Sequence, residues 1–452
     1  MEFSPEKIHR QYQQNKLDKH SASKLLFSLI ENSESDKVRV DCITKLGDLG
    51  IEGNKFFKFL EDLLISDSNE KVRNSAAIIL RNQYNDKILD LMKWALIHEE
   101  SSLCLTTIHS ALINIIKSLI KNNDSNSKSI ILSEVKKIQR NEFKLGFEIL
   151  CETTLLEEFP EKELADILIN FFTLELLEKS YWRLKYEIRD CKIIELDFIF
   201  KGLTNLPEAI RYLTSLESLI LRYNQLITLP NWIGKLKSLK FLNLNVNNLN
   251  SLPKSLESLS FLKGLFLWKN ELRSLPSEIG NLSNLELLNL RLNCLEKLPD
   301  TIGNLRSLKE LNLHDNQLTH LPNSVTQLKK LEELNLSWNF LKTIPVSIGS
   351  LTSLKMLDIE KNELIKIPVA ICALTCLEML NLSDNKLKVI PDFFENLKSL
   401  KILNLSKNEL CSIPKSINLL PSLKELHIND NNLEDYPNWL KNLEDKGIKI
   451  YY

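Results

Sequence analysis

From residue 193 onward, apolar residues return in one fixed order every 23 positions. Units begin at 193, 216, 239, 262, 285, 308, 331, 354, 377, 400 and 423, and one reads LKELNLHDNQLTHLPNSVTQLKK (308–330). Leucine-like residues hold the first, fourth, sixth and eleventh places, and further apolar residues hold the eighteenth and twenty-first. Places three to seven alternate, so a short strand there turns the fourth and sixth side chains inward and the third, fifth and seventh outward. The ninth place is Asn in ten units, from Asn224 and Asn247 to Asn408 and Asn431. A buried amide can accept and donate at once, which suits the backbone groups released where a strand turns away. Eleven of the fourteen prolines, Pro207 to Pro437, share one place just beyond that turn, where a fixed φ and a missing donor suit a descending segment.

The first half has a different period. The stretches DKVRVDCITKL (36–46) and EKVRNSAAIIL (70–80) align at a spacing of 34, with apolar residues recurring at three and four, and NKFFKFLEDLLI (54–65) and DKILDLMKWALI (86–97) supply alternating partners. Helix pairs are expected, with a more degenerate unit near 101–120, a loop at NNDSNS (122–127), and helical patterns near 128–140, 143–157 and 161–189. The last includes LELLEKSYWRLKYEIRD (174–190), whose Leu177, Tyr181, Leu184 and Ile188 are spaced to cover the first 23-residue unit as a helical cap. That unit departs from the pattern with Lys201 at the Asn place. At the other end, YPNWLKNLEDKGIKIYY (436–452) reads as a closing helix and strand.

The 23-residue pattern resembles the leucine-rich repeat family, in its LPxxIGxLxxL class, and the 34-residue pattern resembles HEAT repeats. Together they imply an α+β two-domain solenoid: all-α HEAT-like helical repeats over 1–190, then a leucine-rich repeat horseshoe over 191–452 with a concave parallel β-sheet. Strands about 4.8 Å apart would carry eleven units along roughly 48 Å of concave wall.

Composition narrows function. The formal net charge is −1, with 58 basic against 59 acidic residues, so no polycationic surface invites nucleic acid or anionic membrane. No apolar leader opens the chain, and no run of some eighteen unbroken apolar residues follows, so a cytoplasmic protein is expected. Eight cysteines are scattered without a CxxC pair, which suggests reduced thiols; Cys372 and Cys376 lack companions for a metal site. Phosphate loops, GxSxG and HExxH are missing, and the seven histidines are dispersed, so neither an enzyme nor a cofactor is expected.

The outward places of the strands carry the remaining signal. A solvated wall is polar, as Asn289, Asn312, Asn335, Asn381 and Asn404 at the fifth place illustrate. The first seven units instead hold most of the apolar side chains. From these the candidate partner-binding set is Arg222, Tyr223, Phe241, Gly264, Phe266, Trp268, Leu287, Arg291, His314 and Trp338, centred on Trp268. Gly264 would leave a hollow between Phe241, Phe266 and Leu287, and a glycine inside a strand marks close approach by another group. Arg and Trp dominate binding hot spots. Three readings stay open: an external partner, cover by the chain's own helical half, and tolerated surface residues. The leucine-rich resemblance implies a protein–protein interaction scaffold or adaptor in intracellular signalling, with a small GTPase, a phosphatase or another signalling protein as the partner class. The alternative is single-stranded nucleic-acid binding through stacked aromatics and arginines, which the acidic Glu310, Glu333, Asp358 and Glu360 in the same columns oppose.

Overall fold

A computed structural model of the chain describes residues 4–122, 125–152, 154–434 and 437–452. Packing divides the chain into two units, one running to Leu184 and including Ile188–Ile193, the other comprising Lys185–Glu187 and Ile194–Tyr452.

Among the described residues the first unit is built on ten α-helices: α1 (Pro5–Gln13), α2 (Lys19–Asn32), α3 (Asp36–Asp48), α4 (Asn54–Ser66), α5 (Glu70–Gln83), α6 (Leu89–His98), α7 (Ser102–Asn122), α8 (Ser125–Lys136), α9 (Asn141–Leu150) and α10 (Glu161–Ser180). Local chemistry starts them: Ser4 caps α1 ahead of Pro5, Asp18 accepts from the Ser21 N–H, and Asn69 accepts from the Lys71 N–H. Neighbours pair as α2 with α3, α4 with α5 and α6 with α7, while α3, α5 and α7 pack in succession. The 34-residue alignment reappears as contacts. Arg39 pairs with Asp67 and its counterpart Arg73 with Glu99, the latter through two bonds of 2.8 and 2.9 Å. Asn69 donates to Asp36 at 2.6 Å and Ser101 to Glu70 at 2.6 Å, one repeat on. Burial works against the Glu99 carboxylate, but Arg73 and the N–H groups of Ser101 and Glu100 outweigh it and hold its pKa at about 2.

Two sequence expectations need correction in this unit. The helix expected to 189 stops at Ser180, and Lys185–Arg189 forms strand β1. The cause is local: Arg183 takes a positive φ, and KYEIR alternates as a strand does, ending at Asp190–Cys191, both with positive φ, as a two-residue hairpin turn requires. Leu177, Tyr181, Leu184 and Ile188 therefore do not share one helical face. Within 122–127, residues 123–124 lie outside the described ones, and Ser125–Ser127 open α8 rather than a loop. Finally, α7 is apolar enough over 18 residues to meet the length and composition of a membrane span although it has no unbroken apolar run. Its apolar residues instead pack against α5, α6, α8 and α10, with Ile108, Leu112 and Ile116 buried.

The second unit carries the sheet, which runs in chain order from β1 to β13 among the described residues. After β2 (Lys192–Asp197) come ten three-residue strands, β3 (Ser218–Ile220) to β12 (Glu425–His427), at places three to five of successive repeats, and then β13 (Lys449–Tyr451). All pairs from β2 to β13 are parallel, in a register that sets equal repeat places side by side. The proline of most units immediately precedes a short 3-10 helix, as Pro276 precedes Ser277–Asn281. The ninth unit departs: its helix is shortened to Phe394–Asn396, two residues beyond Asp392.

Each ninth-place Asn ties neighbouring repeats together. Asn293 accepts from the Leu272 N–H at 3.1 Å and donates to the carbonyls of Leu267 and Leu290 at 2.9 and 3.0 Å; Asn385 repeats this with Leu364, Ile359 and Leu382. These amides are buried, so the ladder satisfies backbone groups that water does not reach. At the C-terminal end α11 (Trp439–Asp445) buries Leu440 and Leu443, and β13 supplies the last strand. Residue 436, where the expected cap begins, lies outside the described residues.

Candidate functional site

The outward side of the sheet is a set of registered columns. In the third-place column Phe241, Gly264 and Leu287 are strand neighbours, and in the fifth-place column Phe266 lies between Asn243 and Asn289. Phe241 is 42% exposed, while Phe266 and Leu287 are half-buried. The hollow expected at Gly264 does not exist. A Cβ there would come within 2.9 Å of Phe241 Cδ1 and of Phe266 Cε2, so the chain's own rings fill the space and cover the glycine. The glycine admits two phenyl rings, and nothing is left for a partner to enter.

Tyr223 and Trp338 also sit elsewhere than the strand pattern places them. Both occupy the eighth place, where every unit has a positive φ, here 59° and 57°. This left-handed corner costs a non-glycine residue about 1–2 kcal/mol, and Asp and Lys fill it in many units. Phe200, Tyr223 and Trp338 fill it with aromatics that stand at the strand ends. Phe200 stacks on Tyr223 with centroids 4.6 Å apart. The signal was present in the sequence as the residue before each Asn, but a period-two reading cannot show a backbone that has left the strand.

The candidate set consequently forms groups rather than one cluster. Tyr223 joins Phe200 at the corners of the first two units, and Phe241 and Phe266 close over Gly264 beside Leu287. Arg222, Trp268, Arg291 and His314 follow the seventh-place column, with Arg222 and Arg291 exposed. Tyr223 and Trp338 are five repeats apart, roughly 24 Å at the usual strand spacing.

Trp268 and His314 have distinct environments. The Trp268 indole N–H is buried and donates to no group among the described residues, while its backbone N–H is held by Asn245 Oδ1 at 2.8 Å. An unpaired buried donor is costly and rare. The His314 Nδ1 lies 2.7 Å from Ser337 Oγ, and its ring is 6.1 Å from that of Trp338. Burial, and then the nearby Arg291 guanidinium, lower the His314 pKa and favour the neutral imidazole. Lys361 Nζ sits 3.3 Å from the Trp338 ring centroid, a cation–π contact unanticipated from sequence.

Two further features emerge only in the structure. On the helical side of the repeats, the sixteenth place is polar in every unit except two, where Val346 (79% exposed) and Val369 (57%) stand beside one another around an open hollow. On the sheet, Glu310 and Glu333 are register partners. Burial, then Glu333 and Glu332, raise the Glu310 pKa. No chemistry-bearing cluster accompanies these features: Cys372 is buried and Cys376 exposed, and the described residues hold no group of three or more metal-ligating side chains.

Comparison with known proteins agrees with the repeat geometry. Residues 231–340 and 278–363 match a leucine-rich repeat region, 377–433 a leucine rich repeat, and 215–236 a further Leucine Rich Repeat. No curated protein matches the chain. Among solved structures, an LRR protein of Leptospira interrogans is 32% identical over 56% of this chain and 82% of its own, with a TM-score of 0.34. A plant peptide hormone receptor, RGFR1 in complex with RGF2, is 33% identical over 51% of this chain and 38% of its own, with a TM-score of 0.47. The Drosophila Toll–Spatzle complex matches at 27% identity over 53% of this chain and 35% of the matched chain, with a TM-score of 0.50. The chain thus spans well under two thirds of the last two.

Proposed function

We propose that this chain is a non-enzymatic, cytoplasmic adaptor in signalling that holds a protein partner on the sheet face of its first seven repeats. The observation that carries the reading is the open aromatic surface there: Tyr223, Phe241 and Trp338 are exposed. Aromatic side chains and arginine are the groups that dominate protein interfaces, and a docked segment would cover them. The balanced charge supports a protein in preference to a nucleic acid. The Toll–Spatzle structure is a complex of this kind of solenoid, which supports protein recognition without naming the partner.

The test is affinity capture from lysate of the source cell with three forms: the unaltered chain, a Trp268→Ala/Trp338→Ala variant, and a control altered at Asp384 and Lys407. Capture by the first and third but not the second is expected. Equal capture by all three would place binding elsewhere and overturn the proposal.

A further inference from the structure

The charges next to the aromatic groups specify what a docked segment carries. Along the second place of the repeats, this chain pairs opposite charges between neighbours: Glu217 with Lys240 at 2.9 Å, Glu286 with Lys309 at 2.6 Å, Glu332 with Lys355 at 2.6 Å and Glu378 with Lys401 at 2.5 Å. One place further on, the habit fails. Glu310 and Glu333 are partners in the strand register, and neither has an ion pair among the described residues. Like charges directly opposite on adjacent strands repel and destabilise the pair. Apolar side chains bound the two carboxylates along the column, Leu287 on one side and Met356 on the other. All four, with Phe266 and Asn312, line a hollow of about 90 Å³ on the sheet.

We infer that the partner segment seated on this sheet carries an arginine whose guanidinium lies over Glu310 and Glu333, with its methylenes against Leu287, the neighbour on the aromatic side. A guanidinium is flat and presents a fork of donors, so one group can serve two carboxylates on strands about 4.8 Å apart, which a lysine ammonium, a point charge, does less well. The arginine stem is apolar and suits contact with Leu287. The neighbouring amides fit a bound backbone as well. The Oδ1 atoms of Asn289, Asn312 and Asn335 are taken by the N–H groups of Arg291, His314 and Ser337, while their Nδ2 groups donate to nothing among the described residues and can meet a peptide carbonyl. This inference rests on the sheet face being the docking site, and it adds that an apolar or aromatic residue lies beside the arginine, over Phe266 and Trp268.

The experiment is selection from a displayed library of short random peptides on the full chain, followed by affinity measurement of the enriched peptides. Peptides with arginine beside an aromatic or aliphatic residue are expected, weakened about tenfold or more by Glu310→Gln/Glu333→Gln. Exchange of charge, with Glu310→Lys/Glu333→Lys against peptides whose arginine is replaced by glutamate, restores binding only if the two groups meet. Enriched peptides that need Trp268 but lack arginine, or that ignore the glutamine variant, overturn this inference and leave the docking site standing. Peptides indifferent to both Trp268→Ala and the glutamine variant, or no enrichment at all, overturn it together with the docking site.

Discussion

Two stretches of the same sheet, the first seven repeats and the last four, share one backbone and differ in how they treat their outward groups. In the later repeats the seventh-place serines close on their own unit: Ser383 Oγ donates to Asn381 and Ser406 Oγ to Asn404, each at 2.7 Å. In the earlier ones the same place holds Arg222, Trp268, Arg291 and His314 before Ser337 closes on Asn335 as the later serines do, and the Trp268 indole N–H has no acceptor among the described residues. The inward residues do not register the change, since leucines and asparagines continue through both stretches. Architecture and recognition are thus carried by different places of one repeat, so each can be altered separately.

The largest effect should be blind to this division. Asn293→Ala in the aromatic stretch and Asn385→Ala in the polar stretch each leave one N–H and two carbonyls without their amide partner, for a loss of about 3 kcal/mol each by denaturant melting. A marked inequality between them would mean that the stretches are built differently after all. Next, Gly303→Ala sets a Cβ 2.3 Å from the Ser324 carbonyl oxygen, a backbone clash that costs about 2 kcal/mol. Gly264→Ala meets only ring edges at 2.9 Å, so it costs under about 1 kcal/mol while displacing Phe241 and Phe266, as near-ultraviolet circular dichroism would report.

Trp268→Ala sharpens the contrast from the other side. Its side chain is half-buried and its indole N–H has no acceptor among the described residues, so the melting free energy should fall by only about 1 kcal/mol while partner binding is lost. The smallest effect concerns His314. Its pKa lies below the usual imidazole range through burial and Arg291, so Arg291→Gln should raise it in an NMR titration. Because the folded value is depressed, the stability tied to this neutral ring is present above the ordinary imidazole pKa and lost as pH falls through the folded one.

The architecture of the repeats was legible because their inward places are few and repeat without insertion: period, asparagine ladder and prolines each have one physical reason. The helical repeats were legible where Arg39 and Arg73 align, since both make the same kind of inter-helix pair. Legibility ended where two periods compete or where backbone leaves its element. KYEIR sits in a stretch whose apolar spacing also suits a helix, and only the turns at Arg183 and Asp190–Cys191 decide for a strand. Tyr223 and Trp338 looked like strand residues until the left-handed corner moved them. Gly264 pointed to an empty hollow because a sequence does not show that Phe241 and Phe266 turn toward it. The exposed Val346 and Val369 could have been found by reading the sixteenth place down its column; the mismatch is plain once the columns are aligned.

The claim that recognition belongs to the earlier repeats is tested most directly by hydroxyl-radical footprinting of the chain free and with its captured partner. Oxidation of Tyr223, Phe241, Trp268 and Trp338 should fall in the complex while that of Met379, on the later stretch of the same sheet, stays unchanged. Protection of Met379 with the four aromatics unaltered would contradict the account.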